Sequence, residues 1–164
     1  MTSMLDSYVS FVKTESPEPI ETIIINELIG DIVKSFEKNG VELTIKEKNT
    51  IQTSGRQIQL KRAFNNIIDN SQRYAKKIEI ILYTNEKDCV IEFNDDGQGI
   101  PRDKYEDVFK PFFTLDPSRN KLKGESGLGL TITRDIIRSH GGDVKLSESN
   151  LGGLQLKVLL PLWF

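Results

Sequence analysis

The sequence predicts an α/β fold, a two-layer sandwich in which one mixed sheet of about five strands carries about three helices on one face. Three observations predict it. Apolar residues recur at helical spacing in several stretches. Between them, other stretches alternate with the period of two that marks a strand. Strands that follow one another late in the chain are joined by tight turns. The pattern leaves the strand order open.

Taken in order, residues 1–14 set Met4, Leu5, Tyr8, Val9, Phe11 and Val12 on one apolar helical face. Ser16-Pro17-Glu18-Pro19 breaks that pattern, so residues 15–19 read as a linker and 20–164 as the domain proper. A helix follows, with Leu28, Ile29, Ile32, Val33 and Phe36 on one stripe and Asn39-Gly40 as its stop. Residues 41–46 alternate as a strand, and a short extended piece is expected near Ile51. A longer helix spans roughly 57–75, its apolar face made by Phe64, Ile67, Ile68 and Ser71. Strands at 78–84 and 89–94 meet at Asn85-Glu86. The loop-rich stretch 95–126 is long for a compact domain, which usually marks function. A helix over about 128–139 ends at His140-Gly141-Gly142, and strands at 143–149 and 154–160 flank a turn at 150–153.

Composition narrows the class. The 164 residues suffice for one domain with a core. A net charge of -2 argues against a nucleic-acid partner or a polybasic membrane surface. No apolar run approaches the roughly 20 residues of a membrane span, and the opening Met1-Thr2-Ser3-Met4-Leu5-Asp6 lacks the pattern of a signal peptide. Cys89 is the only cysteine, which excludes an internal disulfide or a cysteine zinc cluster. It is expected to be a small buried strand residue in a reducing cytosol.

The chemistry concentrates in four segments. On the helix bearing Asn65-Asn66-Ile67-Ile68-Asp69-Asn70, residues Asn66, Asn70, Arg73 and Lys77 share the face opposite Phe64, Ile67 and Ile68. Asparagine is a poor helix former, so such a cluster is a costly way to make a solvated face. An amide oxygen can coordinate a hard cation without adding charge, and an arginine one turn on can bind phosphate. Asn94-Asp95-Asp96-Gly97-Gln98-Gly99-Ile100-Pro101 puts a carboxylate at a strand end, suited to an exocyclic amine, beside glycines that admit a flat ligand. Gly124-Glu125-Ser126-Gly127-Leu128-Gly129-Leu130 opens a helix whose free N–H groups favour an anion. Val108-Phe109-Lys110-Pro111-Phe112-Phe113-Thr114 reads as an aromatic anchor for one end of a lid. Each segment alone also suits a solvated face or a plain turn.

Together and in this order, the four segments resemble the N, G1, F and G2 boxes of the GHKL ATP-binding (Bergerat) fold over about residues 20–164. The match is closest to sensor histidine kinases. The Phe-Phe-Thr-Leu-Asp-Pro-Ser-Arg stretch and the Arg-Asp-Ile-Ile-Arg-Ser-His-Gly-Gly ending are similar to the osmosensor (EnvZ-type) branch. In that light residues 1–14 look like the remnant of a dimerisation and phosphotransfer helix.

The resemblance implies roles residue by residue. Asn70 would bind Mg²⁺, with Asn66 one turn before it. Arg73 and Arg119 would act at the phosphates, and Tyr74 would lie beside the adenine. Asp95 would recognise the adenine amine, with Gly97 and Gly99 shaping its loop. Gly127 and Gly129 would line the phosphate-binding helix start, and Ile100, Phe113, Leu128 and Leu130 complete the nucleotide's surroundings. One departure stands out: Glu125 occupies the first glycine of the last box, with Gly124 one residue earlier.

The implied activity is that of an ATP-binding kinase domain. It would pass the γ-phosphoryl of Mg-ATP to a histidine on a separate dimerisation domain, for relay to a response regulator receiver domain. The resemblance also admits an anti-sigma-factor-type serine kinase or a degenerate nucleotide-binding interaction module. The domain is expected to be cytoplasmic and monomeric alone, its parent kinase anchored in the bacterial inner membrane. His140, the only histidine, is expected to be structural, because it lies about three helical turns, roughly 15 Å, beyond the phosphate site. Residues 114–125 have little to bury and are expected to form a lid that orders around bound phosphates.

Overall fold

A computed structural model describes residues 18–113 and 129–162. The chain enters as β1 (Glu21–Ile24), passes without a break into α1 (Ile25–Phe36), and continues through β2 (Glu42–Glu47), β3 (Gln52–Gly55) and α2 (Gln57–Gln72). Next come β4 (Lys77–Thr84), β5 (Asp88–Asp95) and two short 3₁₀ turns (Arg102–Lys104 and Asp107–Phe109), then α3 (Gly129–Ser139), β6 (Asp143–Glu148) and β7 (Leu154–Pro161). The main sheet runs β2-β4-β5-β7-β6. Its β2–β4 pair is parallel and its other pairs are antiparallel, so the sheet is mixed as expected.

A second, two-stranded sheet was not legible in the sequence. β1 pairs antiparallel with β3, matching Glu21 to Gly55 and Ile24 to Gln52. Four residues are too few to show a period, and the isoleucines of β1 run straight into those of α1.

The helices form because their apolar residues fall on one stripe. Along α2, Leu60, Ala63, Phe64, Ile67, Ile68 and Ser71 are buried at three- and four-residue steps. The helix stops at Gln72, short of the expected 75, because the Ser71 carbonyl accepts the N–H groups of both Tyr74 (3.2 Å) and Ala75 (3.0 Å). The stripe meets sheet residues that include Ile78, Ile80, Cys89, Ile91, Phe93 and Val158, and the Phe64 and Phe93 ring centroids lie 6.1 Å apart. Each such side chain contributes about 1.5–3 kcal/mol on burial. Cys89 is buried in β5, as its strand position suggests.

The opposite face of the sheet is covered by its own polar side chains. Glu92 accepts from the Tyr83 hydroxyl at 2.5 Å and from Gln155 Nε2 at 3.2 Å, and Lys157 Nζ lies 3.9 Å away. Burial, together with the hydrogen bond to Glu92, pushes the Tyr83 phenol up to about 12.

His140 ends α3. Its Nδ1 lies 2.8 Å from the Ile136 carbonyl, and its Nε2 accepts the Arg56 N–H at 3.0 Å. The proton therefore sits on Nδ1 and the ring is neutral. Burial holds its pKa below the ordinary value. The imidazole fills the space where Gly55 has no Cβ, since one there would meet it at 2.8 Å. Nδ1 is tied back to α3 through Ile136 and Nε2 holds that helix end against the β3–α2 corner through Arg56, which is the structural role expected.

The expected linker is part of the fold at one residue. Glu18 accepts the N–H of Ile58 at 2.6 Å and of Gln59 at 3.2 Å, capping the start of α2 from outside the helix. The expected helix at 1–14 and lid at 114–125 lie outside the described residues. Among those described, no helix is long and apolar enough to cross a membrane.

Candidate functional site

The end of β5 meets the end of α2, and the site is built where they join. Asp95 closes β5 with a relative exposure of 7%. Its Oδ1 accepts two backbone N–H groups, Gly97 and Leu154, each at 3.0 Å. The Ser71 side chain from α2 also hydrogen-bonds to the carboxylate. The Asp95 carbonyl accepts the Gly153 N–H at 3.0 Å. Burial raises the Asp95 pKa above the usual carboxylate value, and the two backbone hydrogen bonds only partly offset it.

Its neighbour behaves in the opposite way. Asp96 is exposed, and its Oδ1 accepts the N–H groups of Lys77 (3.0 Å) and Lys76 (2.9 Å), which lower its pKa. Asp96 thus clips the β5 turn to the start of β4 and leaves Asp95 as the inward carboxylate. The turn needs its glycines. A Cβ on Gly97 would lie 3.0 Å from the Tyr74 carbonyl, and Gly99 sits at φ +72°.

Asn66 and Asn70 lie one turn apart on α2, half-buried. Among the described residues neither side chain makes a hydrogen bond, whereas Asn65 Nδ2 donates to the Lys61 carbonyl. Arg73 caps α2, and its Nη2 lies 3.1 Å from Asp69 Oδ2, so an anionic ligand would have to compete with that carboxylate. Tyr74, Ile100 and Phe113 are half-buried, and the Tyr74 carbonyl lies beside the Gly97 turn.

The aromatic anchor is also explicit. Phe109 is buried, and the Arg134 guanidinium stacks 4.3 Å from its ring centroid. Arg134 pairs with Glu106 at 3.2 Å, and Thr131 Oγ1 donates to the Phe109 carbonyl at 2.7 Å. The loop following β5 is thereby fastened to α3, which begins at Gly129 with Leu130 half-buried beside it. Arg119, Glu125, Gly127 and Leu128 lie outside the described residues.

Three participants were missed as site residues. Ser71 was assigned to the apolar stripe, although a serine there is itself a signal. Gly153 and Leu154 act through backbone atoms brought by a distant hairpin, and nothing in their side chains announces that. No group of three or more His, Cys, Asp or Glu residues able to hold a metal occurs among the described residues. A cation here would have to share amide oxygens with a ligand's own oxygens.

Residues 55–163 match the family model described as histidine kinase-, DNA gyrase B-, and HSP90-like ATPase. The chain is similar to the Pseudomonas aeruginosa sensor histidine kinase GtrS, 31% identical over 149 residues that make up 90% of this chain and 30% of that protein. It is 34% identical to the Escherichia coli sensor histidine kinase CpxA over 87% of this chain and 33% of that protein. The chain therefore spans about a third of the curated relatives it matches. Among solved structures, the mycobacterial sensor histidine kinase MprB superposes with a TM-score of 0.77 at 24% identity, covering 87% of this chain and 97% of that one.

Proposed function

Because the chain belongs to the family of histidine kinase-, DNA gyrase B-, and HSP90-like ATPases, we propose that it is the ATP-binding module of a sensor histidine kinase. In this reading it moves the γ-phosphoryl of Mg-ATP to a histidine on a separate dimerisation domain, for relay to a response regulator receiver domain. The whole kinase would be held at the bacterial inner membrane through parts beyond this module.

The observation that carries the nucleotide reading is Asp95. A carboxylate buried at a strand end, with one oxygen already holding two backbone N–H groups, has on the other no backbone donor and so can accept an adenine amine. Gly97 and Gly99 let the turn close tightly beside Asp95, at the Tyr74 carbonyl and the Gly153 backbone, and Tyr74 would border the base. Asn66 and Asn70 fit Mg²⁺, whose usual site combines one or two protein oxygens with phosphates and water. When bound, that ion neutralises charge on the transferred phosphoryl. Arg73, released from Asp69, and Arg119 would neutralise the remainder. Gly127, Leu128 and Gly129 would present N–H groups to the phosphates. Phosphoryl transfer of this type relies on positioning and charge compensation, so the acceptor's surroundings supply any proton transfer.

The test is phosphotransfer in trans. Incubated with labelled ATP, the chain alone should remain unlabelled, because both nitrogens of His140 are bonded within the fold. Adding a histidine-bearing dimerisation domain of the same branch should put acid-labile label on that domain. Acid-stable label on a serine protein instead would favour the anti-sigma-factor-type kinase. Failure to bind nucleotide at all would favour a degenerate module.

A further inference from the structure

The adenine carboxylate does not hold its own position; a hairpin 59 residues away in sequence holds it. The turn between β6 and β7 is drawn tight by three backbone hydrogen bonds. Ser149 N–H donates to the Gly153 carbonyl (2.9 Å), Gly152 N–H to the Ser149 carbonyl (3.1 Å), and Gly153 N–H to the Asp95 carbonyl (3.0 Å). Leu154 N–H then donates to Asp95 Oδ1. The contact leaves no room at residue 153. A Cβ there would lie 2.1 Å from Asp95 Oδ1, 2.6 Å from the Asp95 carbonyl oxygen and 2.6 Å from the Gly97 nitrogen. Two of these atoms are backbone, and the third is a carboxylate oxygen pinned by two N–H groups. A Cβ on Gly99 would come within 3.7 Å of the Gly153 backbone, so the two glycines lie close together.

We infer that Gly153 is a positioning residue for base discrimination, acting through Asp95. This rests on the reading of Asp95 as the adenine acceptor. With no side chain at 153, the hairpin closes on the end of β5 and its Leu154 N–H occupies Oδ1 together with Gly97 N–H. Oδ1 is thereby taken by two backbone N–H groups, and Oδ2, which carries no backbone donor, is the oxygen that meets the ligand. A purine that presents an amine there is accepted. Guanine presents a carbonyl oxygen at the same place, which the fixed carboxylate repels. Any side chain at 153 drives the hairpin and Asp95 apart, so Oδ1 loses one donor and the carboxylate gains freedom to turn. Discrimination then fails even though Asp95 is still present.

The experiment is a titration of the whole chain with Mg-ADP and with Mg-GDP, for the unaltered protein, Gly153→Ala, Asp95→Asn and the double variant, with thermal unfolding of each. We expect Gly153→Ala to weaken Mg-ADP by about tenfold or more while Mg-GDP changes little, so that the preference for adenine collapses. In the Asp95→Asn background the same change should cost less than about twofold, since residues acting as one unit are not additive. A folded Gly153→Ala variant that keeps its preference, or a full extra loss in the double variant, overturns the inference. An unchanged preference in Asp95→Asn overturns the adenine assignment itself, and this inference with it. A collapse in Asp95→Asn alone overturns only the role of Gly153. Should Gly153→Ala not fold, backbone amide NMR of the unaltered protein and Asp95→Asn decides. The Gly97 and Leu154 amide protons should both move upfield on substitution; movement of Gly97 without Leu154 refutes the shared grip on Oδ1.

Discussion

At the end of β5, Asp95 holds two backbone N–H groups on one oxygen and a side-chain contact from Ser71. On the neighbouring helix face, Asn66 and Asn70 hold nothing among the described residues. The two regions divide one site into a part bonded in advance and a part left open. A base is flat, neutral and read by the direction of one hydrogen bond, so its acceptor gains from being locked before the ligand arrives. A hydrated cation brings its own ligands and charge, so its protein partners need only offer oxygens. The locked part costs stability, because a buried carboxylate is poorly solvated, and its raised pKa records that cost.

Asp95→Ala should break the locked half most severely. Losing a hydrogen bond to a charged acceptor is worth about 1.5–3 kcal/mol, so Mg-ADP affinity should fall by about 100-fold in calorimetric titration. The loss should appear with and without Mg²⁺. The raised pKa adds a pH signature. The acceptor must be ionised, so affinity in the unaltered protein should begin to fall in acid before ordinary carboxylates protonate.

His140 tests whether advance bonding alone makes a ligand site. It is as fully committed as Asp95 yet faces protein on both nitrogens. His140→Ala should cost about 2 kcal/mol, because the Arg56 N–H loses its acceptor. Adenine preference should not change. Its pKa is held below the ordinary 6.5 by burial and by Arg56, against the opposing pull of the Ile136 carbonyl and Glu18. The unfolded chain therefore binds the proton more readily, and the stability this neutral ring contributes is present above about pH 6.5. It is lost as pH falls through the folded value. Thermal unfolding across that window should show the decline in the unaltered protein and a flatter profile in His140→Ala.

Asn70→Ala should sharpen the contrast from the open side. About a tenfold loss of Mg-ADP affinity is expected, confined to the Mg²⁺-dependent part and with little loss of stability, since the amide holds nothing among the described residues. An equal loss in the absence of Mg²⁺ would move Asn70 out of the ion site. The smallest effect should come from Glu18→Ala, which removes the cap of α2 and costs about 1 kcal/mol of stability. Nucleotide affinity should hold, because the cap lies at the end of α2 away from Asn70.

Much of this was visible in residue order. The apolar stripes of α1 and α2 and the alternation in β4 and β7 follow from the periods of helix and strand, which are local. Asn66, Asn70 and Asp95 were legible because each breaks a local rule: amides cluster in a helix, and a carboxylate ends an apolar strand. The β1–β3 pair was not, because its short strands carry no period and are stabilised by each other across α1. Gly153 and Leu154 were not, because their contribution is made by N–H groups that every non-proline residue carries. Glu18 read as linker for a related reason: its capping partners lie 40 and 41 positions away.

The sequence by itself determined the periods, the turn chemistry and the set of groups able to meet a nucleotide, since those depend on residue type and spacing along the chain. The tertiary structure decided which of two adjacent carboxylates faces inward, which oxygen of Asp95 is spent, and that His140 is a neutral clamp. Those outcomes depend on burial and on partners from distant segments. A side chain's protonation and its free valences are set by what the fold places around it, not by its neighbours in the chain.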